Sequence, residues 1–361
     1  MPSFIILLIS IVLFFGCATA PVEKQTLIWP EQPNEPRYVY LDSYYGELGL
    51  VEYGFWDRFF GVTSLPLPLL NPTSVFAIND RIYVSVPGSK HVAVIDTVKK
   101  QVTYLGTSGK GRLKRPLGVS GMPDGSLIFV SDIALKRVMG YGPNGELKVR
   151  IGDNNELKNP VGMAVNSSLN RLYVVDSRDH KVNVYSTTGS FLFSFGKPGQ
   201  GDGQFLFPTS AAVEQGTGNV YVVDTQNFRV QVFDKDGKFL SKFGKLGDSV
   251  GTFSRPKGVA IDSEGHVYVM DAAFDSFQVF NENRDVLLVV GTAGIDRGQF
   301  NLPEGIYIDD KDRVYVADTL NGRVQVFQYL SEKWKKEHPE EYKKYLLMPD
   351  AGKTIKEPEK Q

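Results

Sequence analysis

The sequence is poor in the side chains that most often build metal and redox centres, with one cysteine and four histidines among 361 residues. A single thiol excludes an intrachain disulfide framework and any site made of several thiolates. The formal net charge is −1, so the chain has no large excess of either sign. This argues against an overall nucleic-acid binder, although a chain of this net charge can still contain a local charged patch. Apolar residues account for 42% of the chain, an ordinary share for a soluble globular protein with a large core.

Long apolar runs are also scarce, and the run at the N-terminus, residues 4–15, is too short to cross a bilayer. Its 12 residues suit the hydrophobic core of a secretory signal. Gly16 and Cys17 follow directly. This ending resembles the lipobox of bacterial lipoproteins, which implies lipidation of Cys17 as the first residue of the mature chain. The alternative is an ordinary signal peptide, because residues 1–4 contain no Lys or Arg and Phe15 lies where a small or β-branched residue is usual.

Two further segments flank the central region without sharing its pattern. Residues 18–36 are rich in proline and polar side chains, which predicts a tether between the signal end (residues 1–17) and the folded domain. Residues 331–361 contain eight basic and seven acidic side chains. There, Pro339 followed by two glutamates predicts a short helix that precedes a disordered end.

The central region consists of six similar units that begin at prolines spaced by 44, 44, 48, 48 and 47 residues. The prolines are Pro72, Pro116, Pro160, Pro208, Pro256 and Pro303. An apolar side chain precedes each by three positions: Leu69, Leu113, Leu157, Phe205, Phe253 and Phe300. Each unit then contains up to four short apolar-alternating runs separated by polar turns, which predicts strands joined by hairpins. In the first five units the fourth run ends in a glycine: Gly106, Gly152, Gly196, Gly244 and Gly291.

Six such copies predict an all-β fold, a six-bladed β-propeller, rather than two independent domains. A parallel β-helix is the competing architecture, but its shorter coils would not each contain a hairpin. The sixth unit has only three strands before Tyr329. We therefore expect residues 37–44 to supply its outer strand and to close a domain that spans residues 37–330.

Closing the ring in this way makes residues 47–68 the connection from the sixth sheet to the first. The segment is aromatic, and four of its side chains recur at helical spacing: Phe55, Trp56, Phe59 and Phe60. This spacing predicts a short amphipathic helix. The helix either plugs one end of the ring or forms a lid or a membrane-facing element.

An aspartate at the end of the second strand and a cation five residues later recur in four units. The pairs are Asp132/Arg137, Asp176/Lys181, Asp224/Arg229 and Asp318/Arg323. This spacing crosses a tight turn, so the carboxylate can meet the cation or accept hydrogen bonds from turn amides, and a structural role is favoured. The first unit has Val86 and His91 in these places, and the fifth has Asp271 and Ser276.

Residues 256–280 and 303–327 follow most of the pattern P-x-G-[VM]-A-[VI]-x-x-x-G-x-[VL]-Y-V-x-D-x-x-N-x-R-V-Q-V-F. This pattern resembles NHL repeats. Its signature positions are occupied by Asp224, Asn227 and Arg229 and by Asp318, Asn321 and Arg323, and His180 lies one place beyond the asparagine position. The resemblance covers about residues 72–328 and implies a six-bladed propeller. It implies little about activity, because this scaffold hosts binding modules and enzymes alike.

A divalent-cation-dependent hydrolase or lyase with its site in the central channel is one functional hypothesis. An amidating lyase that shares the repeat holds zinc with several histidines, and six-bladed calcium-dependent enzymes use inward-facing Glu, Asn and Asp side chains. The four histidines here are His91, His180, His266 and His338, and none falls on an innermost strand. Those strands are small and apolar, with Glu304 at an entrance. We therefore expect no catalytic residue, metal or cofactor.

A non-enzymatic binding scaffold is the favoured hypothesis. In propellers the second-to-third and fourth-to-first connections share one face. There, residues 107–115 and 133–137 predict a basic sector of Lys110, Arg112, Lys114, Arg115, Lys136 and Arg137, with Phe228, Phe274 and Asn321 as further contact candidates. A lipid-anchored protein would not meet RNA, so we expect a monomer at the bacterial envelope whose partner is an envelope protein or an anionic polysaccharide. The alternative that the sector is a solvated loop cluster stays open.

Overall fold

The computed structural model of the protein describes residues 26–50, 66–153 and 156–348. Cys17 and the four aromatic residues of the predicted amphipathic helix lie outside these ranges. Six β-sheets of the described chain form a propeller, so the predicted fold is confirmed. No helix of the described residues is both long and apolar enough to cross a membrane.

Each blade is an antiparallel sheet, and in blades 1 to 5 the strands run in chain order from the central axis to the rim. Two strands precede the repeats, β1 (Ile28–Trp29) and β2 (Tyr38–Tyr44). Blade 1 comprises β3 (Ser74–Ile78), β4 (Arg81–Val86), β5 (His91–Asp96) and β6 (Gln101–Leu105). Blade 2 comprises β7 (Pro116–Gly121), β8 (Ile128–Asp132), β9 (Arg137–Tyr141) and β10 (Leu147–Ile151). Blade 3 comprises β11 (Pro160–Asn166), β12 (Arg171–Asp176), β13 (Lys181–Ser186) and β14 (Phe191–Phe195).

The second half of the ring repeats this plan. Blade 4 comprises β15 (Pro208–Val213), β16 (Val220–Asp224), β17 (Arg229–Phe233) and β18 (Phe239–Phe243). Blade 5 comprises β19 (Pro256–Ile261), β20 (Val267–Asp271), β21 (Ser276–Phe280) and β22 (Val286–Val290). A small parallel pair, β23 (Thr292–Ala293) and β24 (Gln299–Phe300), leads into blade 6, which contains β25 (Ile306–Ile308), β26 (Arg313–Asp318) and β27 (Arg323–Tyr329). Short 3₁₀ turns occur at Gly109–Gly111 and Thr225–Asn227.

The N-terminal strand closes blade 6 as predicted. Strand β2 pairs antiparallel with β27, with Tyr38 opposite Tyr329 and Tyr44 opposite Val324. The Tyr38 hydroxyl also lies 2.8 Å from the Tyr268 hydroxyl of blade 5, so the same strand contacts two blades. Joining the two ends of the ring through one sheet leaves no open edge between its first and last repeats.

The proposed tether at residues 18–36 extends too far, because its described end belongs to the blade. Strand β1 pairs with β2 and makes blade 6 five-stranded. The Trp29 ring packs edge-on against Phe327, with 5.4 Å between centroids. Partial burial of this indole offsets the cost of ordering a two-residue strand, which is too short to show an alternating pattern in sequence.

Apolar side chains from facing sheets fill the space between neighbouring blades. The apolar residues three positions before each proline are all buried and contribute to these layers: Leu69, Leu113, Leu157, Phe205, Phe253 and Phe300. The last five of them each pack over the glycine that ends the preceding blade. A Cβ on Gly244, for example, would lie 2.3 Å from the Phe253 ring, and the φ of +86° at this glycine also disfavours other residues.

The C-terminal segment packs on the closing blade. Helix α1 (Glu332–Glu337) is capped by Ser331, whose Oγ accepts a hydrogen bond from the Trp334 amide. Helix α2 (Pro339–Leu346) begins at the predicted proline. Trp334 and Tyr345 are buried together with Val39 and Leu330, so the first half of the predicted tail is part of the folded domain.

Candidate functional site at the mouth of the axial channel

The six innermost strands surround an axial channel with a cavity of about 1050 Å³. We call the side formed by the fourth-to-first and second-to-third connections the connection face. The mouth on this face includes Lys90, Lys114, Arg115, Lys257 and Glu304. The mouth on the opposite face includes Glu214, Asp262, Asp309 and Asp310. The two mouths therefore differ in the sign of their charge.

Cations at the connection-face mouth are only partly neutralised. Lys257 lies 3.4 Å from the Glu304 carboxylate, across the boundary between blades 5 and 6. Within the described ranges, the charged groups of Lys90, Lys114 and Arg115 make no ion pair, and all three side chains are exposed. An unpaired cationic rim around a concave opening attracts anions.

A buried aspartate fixes the loop that carries two of these cations. Asp132 is fully buried, and its Oδ2 accepts hydrogen bonds from the backbone amides of Lys114 (2.6 Å) and Arg115 (2.9 Å). Its Oδ1 accepts from the amides of Ala134 and Leu135. The carboxylate thus joins the fourth-to-first and second-to-third connections, the two segments from which the basic sector was predicted.

The predicted basic sector divides into parts with different surroundings. Lys114 and Arg115 line the channel, whereas Lys110 lines a separate cavity of about 580 Å³ between blades 1 and 2. Arg112 and Lys136 are exposed on the connection face and have no ion-pair partner among the described residues. Arg137 differs, because its Nε lies 3.0 Å from the Asp153 carboxylate, so part of its charge is already neutralised.

In blades 4 and 6 the repeat aspartate forms the predicted ion pair. Asp224 Oδ2 lies 2.8 Å from Arg229 Nε, and Asp318 Oδ2 lies 2.7 Å from Arg323 Nε. Both pairs are buried, and each arginine also donates two hydrogen bonds from Nη2 to carbonyls of the preceding connection. These networks bind two loops together, which is the structural role that the spacing predicts.

In blades 2 and 3 the ion pair at the same spacing does not form. Asp176 accepts from the amides of Lys158 and Asn159, and Lys181 instead lies 2.5 Å from the Asp179 carboxylate. Asp179 occupies the position that Asn227 holds in blade 4, where the asparagine amide donates to Asp224. In blade 3 this carboxylate attracts Lys181 away from Asp176. In blade 2 the same position holds Leu135, and Arg137 pairs with Asp153 instead, so Asp132 and Asp176 are both amide-capping sites.

The three further contact candidates are largely used within the fold. Asn321 donates from Nδ2 to the Gly294 carbonyl and to Asp318 Oδ2, so its amide has a structural role. Phe228 and Phe274 are both partly buried, and Phe228 packs against the core between blades 4 and 5. More exposed apolar side chains on this face are Phe207 (44%) and Leu302 (36%), each placed directly before its repeat proline.

On the opposite face, blades 5 and 6 share a side-chain motif that the repeat pattern does not predict. Asp262 Oδ2 accepts from Tyr268 Oη at 2.9 Å and lies 2.9 Å from His266 Nδ1. Asp309 repeats this arrangement in blade 6 with Tyr315 and Arg313. The signal is an aspartate followed by a cation four residues later and a tyrosine six residues later. Hydrogen bonding to Asp262 raises the pKa of His266 above its ordinary value.

The four histidines lie apart from the channel wall. His91 packs against Tyr104 with 4.5 Å between ring centroids, and its burial lowers its pKa. His180 Nδ1 accepts a hydrogen bond from the Phe207 amide, and His338 stacks on Trp334. Among residues 26–50, 66–153 and 156–348, no group of three or more His, Cys, Asp or Glu side chains is spaced to hold a metal ion.

Comparison with known families agrees with this architecture. An NHL repeat model matches residues 300–327, and a family described as a 6-bladed beta-propeller matches residues 152–227 and 211–285. The chain is a six-bladed β-propeller with NHL-type repeats. Protein brain tumor of Drosophila melanogaster is 33% identical over 78 residues, which span 22% of this chain and only 7% of that protein.

Solved propellers with the same fold include two enzyme chains and a binding protein. Virginiamycin B lyase from Staphylococcus aureus is 13% identical, with a TM-score of 0.54 over 73% of this chain and 82% of the lyase. An auxiliary nutrient binding protein from Bacteroides thetaiotaomicron is 15% identical, with a TM-score of 0.54 over 73% of this chain and 70% of that chain. A Kuenenia stuttgartiensis hydrazine synthase chain is 12% identical, with a TM-score of 0.53 over 73% and 97% of the two chains. Identities this low show the fold alone.

Proposed function

We propose that this propeller is a non-enzymatic binding scaffold that presents its connection face to an anionic partner. The observation that carries the proposal is the group of exposed cations without an ion-pair partner in the described structure: Lys110, Arg112, Lys114, Arg115 and Lys136. Asp132 holds the Lys114–Arg115 loop through its backbone amides, so part of this charge is presented by an ordered loop. Preorganised cations bind an anion with a smaller entropic cost than mobile ones.

The site chemistry supports binding over metal-dependent catalysis. A histidine variant of virginiamycin B lyase is catalytically inactive, so that protein depends on a histidine. In this chain no histidine is among the described residues that line the channel. Metal analysis of the purified protein tests this choice: stoichiometric calcium or zinc that resists dialysis would favour a hydrolase or lyase.

A polyanion-binding assay with a charge-removed variant tests the scaffold directly. Lys110, Arg112, Lys114 and Arg115 are replaced together by serine, and retention on immobilised alginate is measured as the salt concentration is raised. We expect the wild type to elute at distinctly higher salt, because surface electrostatic attraction is screened with a Debye length of about 8–10 Å near physiological ionic strength. Equal retention of both proteins at low salt would show that the sector is a solvated loop cluster.

We further propose that the scaffold works at the bacterial envelope, attached through lipid on Cys17. The support is the lipobox-like sequence alone. Replacement of Cys17 by serine should release the protein from the membrane fraction, because serine lacks the thiol that would carry the lipid, and each buried methylene of that lipid contributes about 0.8 kcal/mol to membrane binding. Persistence of the variant in the membrane pellet would contradict the lipid anchor while leaving polyanion binding untouched. Crosslinking from the connection face in intact cells would then identify a protein partner.

A further inference from the structure

The charge and polarity of the axial channel change along its length. Its charged lining residues lie at the two mouths, and between them the described wall carries no charged side chain. Alanine and branched apolar residues contribute much of this middle section: Val119, Ala164, Ala212, Val259, Ile306 and Ile308. We propose that the channel binds an amphiphile with one anionic head and one unbranched hydrocarbon chain, with the head at the connection face.

The cavity is large enough for such a molecule. Ligand-binding cavities for small molecules commonly measure about 300–1,000 Å³, and this channel has about 1050 Å³. Its wall also contains the Tyr307 hydroxyl, whose pKa is raised by burial, so the group remains a neutral phenol. An apolar wall with few polar groups removes hydrocarbon from water at little desolvation cost.

The wall of the channel is closely packed and resists widening. The innermost strands approach each other at a ring of small residues: Ser74, Gly118, Gly162, Ser210, Gly258 and Gly305. A Cβ added to Gly162 would lie 2.6 Å from Ser210 Cα, and one added to Gly118 would lie 2.2 Å from the Val161 carbonyl oxygen. Since backbone atoms bound the channel here, it cannot widen without separating the blades.

The charges at the mouths set the orientation. Lys114 and Arg115 line the connection-face mouth without an acid partner in the described chain, while Lys257 is paired with Glu304. Glu214, Asp262, Asp309 and Asp310 line the opposite mouth. An anionic head is therefore attracted at the first mouth and repelled at the second, so the chain enters first and the head remains outside the apolar section.

Calorimetric titration of the purified protein with alkanoates below their micelle concentrations tests the site. Dodecanoate is compared with decanoate and octanoate. We expect each shortening by two methylenes to raise Kd about fifteenfold, because each buried methylene contributes about 0.8 kcal/mol. Dodecyltrimethylammonium, with the opposite head charge, should not bind. A Kd independent of chain length would overturn the proposal.

Two matched double variants distinguish binding in the channel from binding to the basic residues outside it. Lys114→Ser with Arg115→Ser removes two cations that line the channel, and we expect dodecanoate binding to weaken at least about tenfold. Lys110→Ser with Lys136→Ser removes the same charge outside the channel lining, and we expect less than a twofold change. Equal losses in both variants would contradict a channel site. Retention on alginate should fall in both variants, because both lose exposed cations. Failure of the channel proposal therefore gives a different result from failure of the scaffold proposal.

A second arm identifies the head group. Dodecyl phosphate and dodecanoate share the chain and differ in the head, so the tighter ligand shows whether a phosphate or a carboxylate is preferred. Either preference supports the site, provided that the Lys114/Arg115 variant weakens it. Unchanged binding of both ligands by this variant would show that the channel mouth does not hold the head.

Discussion

Blades 4 and 2 use the same aspartate in different ways. In blade 4, Asp224 holds the Arg229 guanidinium, and the arginine in turn binds carbonyls of the preceding connection. In blade 2, Asp132 has no cation at its carboxylate and accepts four backbone amides, while Arg137 turns to Asp153. The repeat aspartate is therefore a loop anchor first, and the ion pair is an addition found in blades 4 and 6.

This difference explains where the exposed charge of the molecule lies. In a blade whose connection is stabilised by a buried arginine, the arginine charge is neutralised inside the fold and is not available to a partner. In blade 2 the aspartate binds the amides of Lys114 and Arg115, so these side chains remain available to a partner. Blade 3 lacks the same ion pair although its loop lies outside the basic sector, so the missing pair alone does not mark the candidate site.

The largest predicted effect is the loss of a buried arginine in blade 4. Arg229→Met should lower the free energy of unfolding by about 3–5 kcal/mol, because it leaves the buried Asp224 charge without its partner. Arg137→Met, at the same repeat position in blade 2, should cost less than about 1 kcal/mol, since its pair with Asp153 is partly exposed. Urea denaturation of both variants measures the difference. Similar losses of unfolding free energy in both variants would contradict the conclusion that the two arginines contribute differently to the fold.

A second prediction concerns the anchor of the basic loop. Asp132→Asn should cost about 1–3 kcal/mol, because charge-assisted hydrogen bonds to amides are weakened, and it should also reduce alginate retention by loosening Lys114 and Arg115. Asp176→Asn disrupts the equivalent anchor in blade 3, where the loop lies outside the basic sector. We expect it to cost similar stability without changing retention. Reduced retention in both variants would point to a general loss of structure.

Much of the fold is predictable from the sequence, because each unit repeats one local pattern. The strand runs, the prolines and the terminal glycines indicate six blades, and the missing fourth strand of the sixth unit predicts the pairing of β2 with β27. Strand β1 could not be predicted, since two residues carry no periodicity and its stability comes from Trp29 packing on Phe327. Tertiary contacts, and not local propensity, order that segment.

The candidate site was predictable only in part. Residues 107–115 are visibly basic, and a propeller fold places them on the connection face. The participation of Lys90 and Lys257 in the channel mouth depends on how separate blades converge at the axis, which no local spacing encodes. Likewise, Arg137 pairs with Asp153 of a different connection, so the spacing alone could not decide between an ion pair and amide capping at Asp132.

A third prediction addresses how blade 2 is joined to blade 3. The Ser131 hydroxyl accepts from the Gly118 amide at 2.8 Å and donates to the Val161 carbonyl at 2.6 Å. Ser131→Ala leaves these backbone groups without their partner and should cost about 1–2 kcal/mol in urea denaturation. Blade 4 achieves the link to its neighbour with Thr225, whose hydroxyl donates to the Pro256 carbonyl, so Thr225→Val should cost a similar or smaller amount. An unchanged midpoint for Ser131→Ala would indicate that water replaces the hydroxyl there.

The smallest predicted effect compares the turns on the opposite face in blades 5 and 6. Asp262 is paired with His266, whereas Asp309 is paired with Arg313 in the same geometry, so only blade 5 has a titrating cation. The pKa of His266 is raised in the folded state by its hydrogen bond to Asp262, so its stabilising effect is complete below the unfolded pKa of about 6.5 and is lost as pH rises through the higher folded pKa.

Unfolding free energies of the wild type and of His266→Gln, measured between pH 5 and pH 9, should therefore differ most at the acidic end and converge as pH rises, with a maximum difference of about 1 kcal/mol. His266→Arg makes blade 5 resemble blade 6 and should remove this dependence, because a guanidinium stays charged across the range. The Glu264 carboxylate, 4.0 Å from His266 Nδ1, also favours the charged ring, so Glu264→Gln should shift the convergence to lower pH. A wild-type advantage that instead grew with pH would mean that the neutral imidazole is the stabilising form.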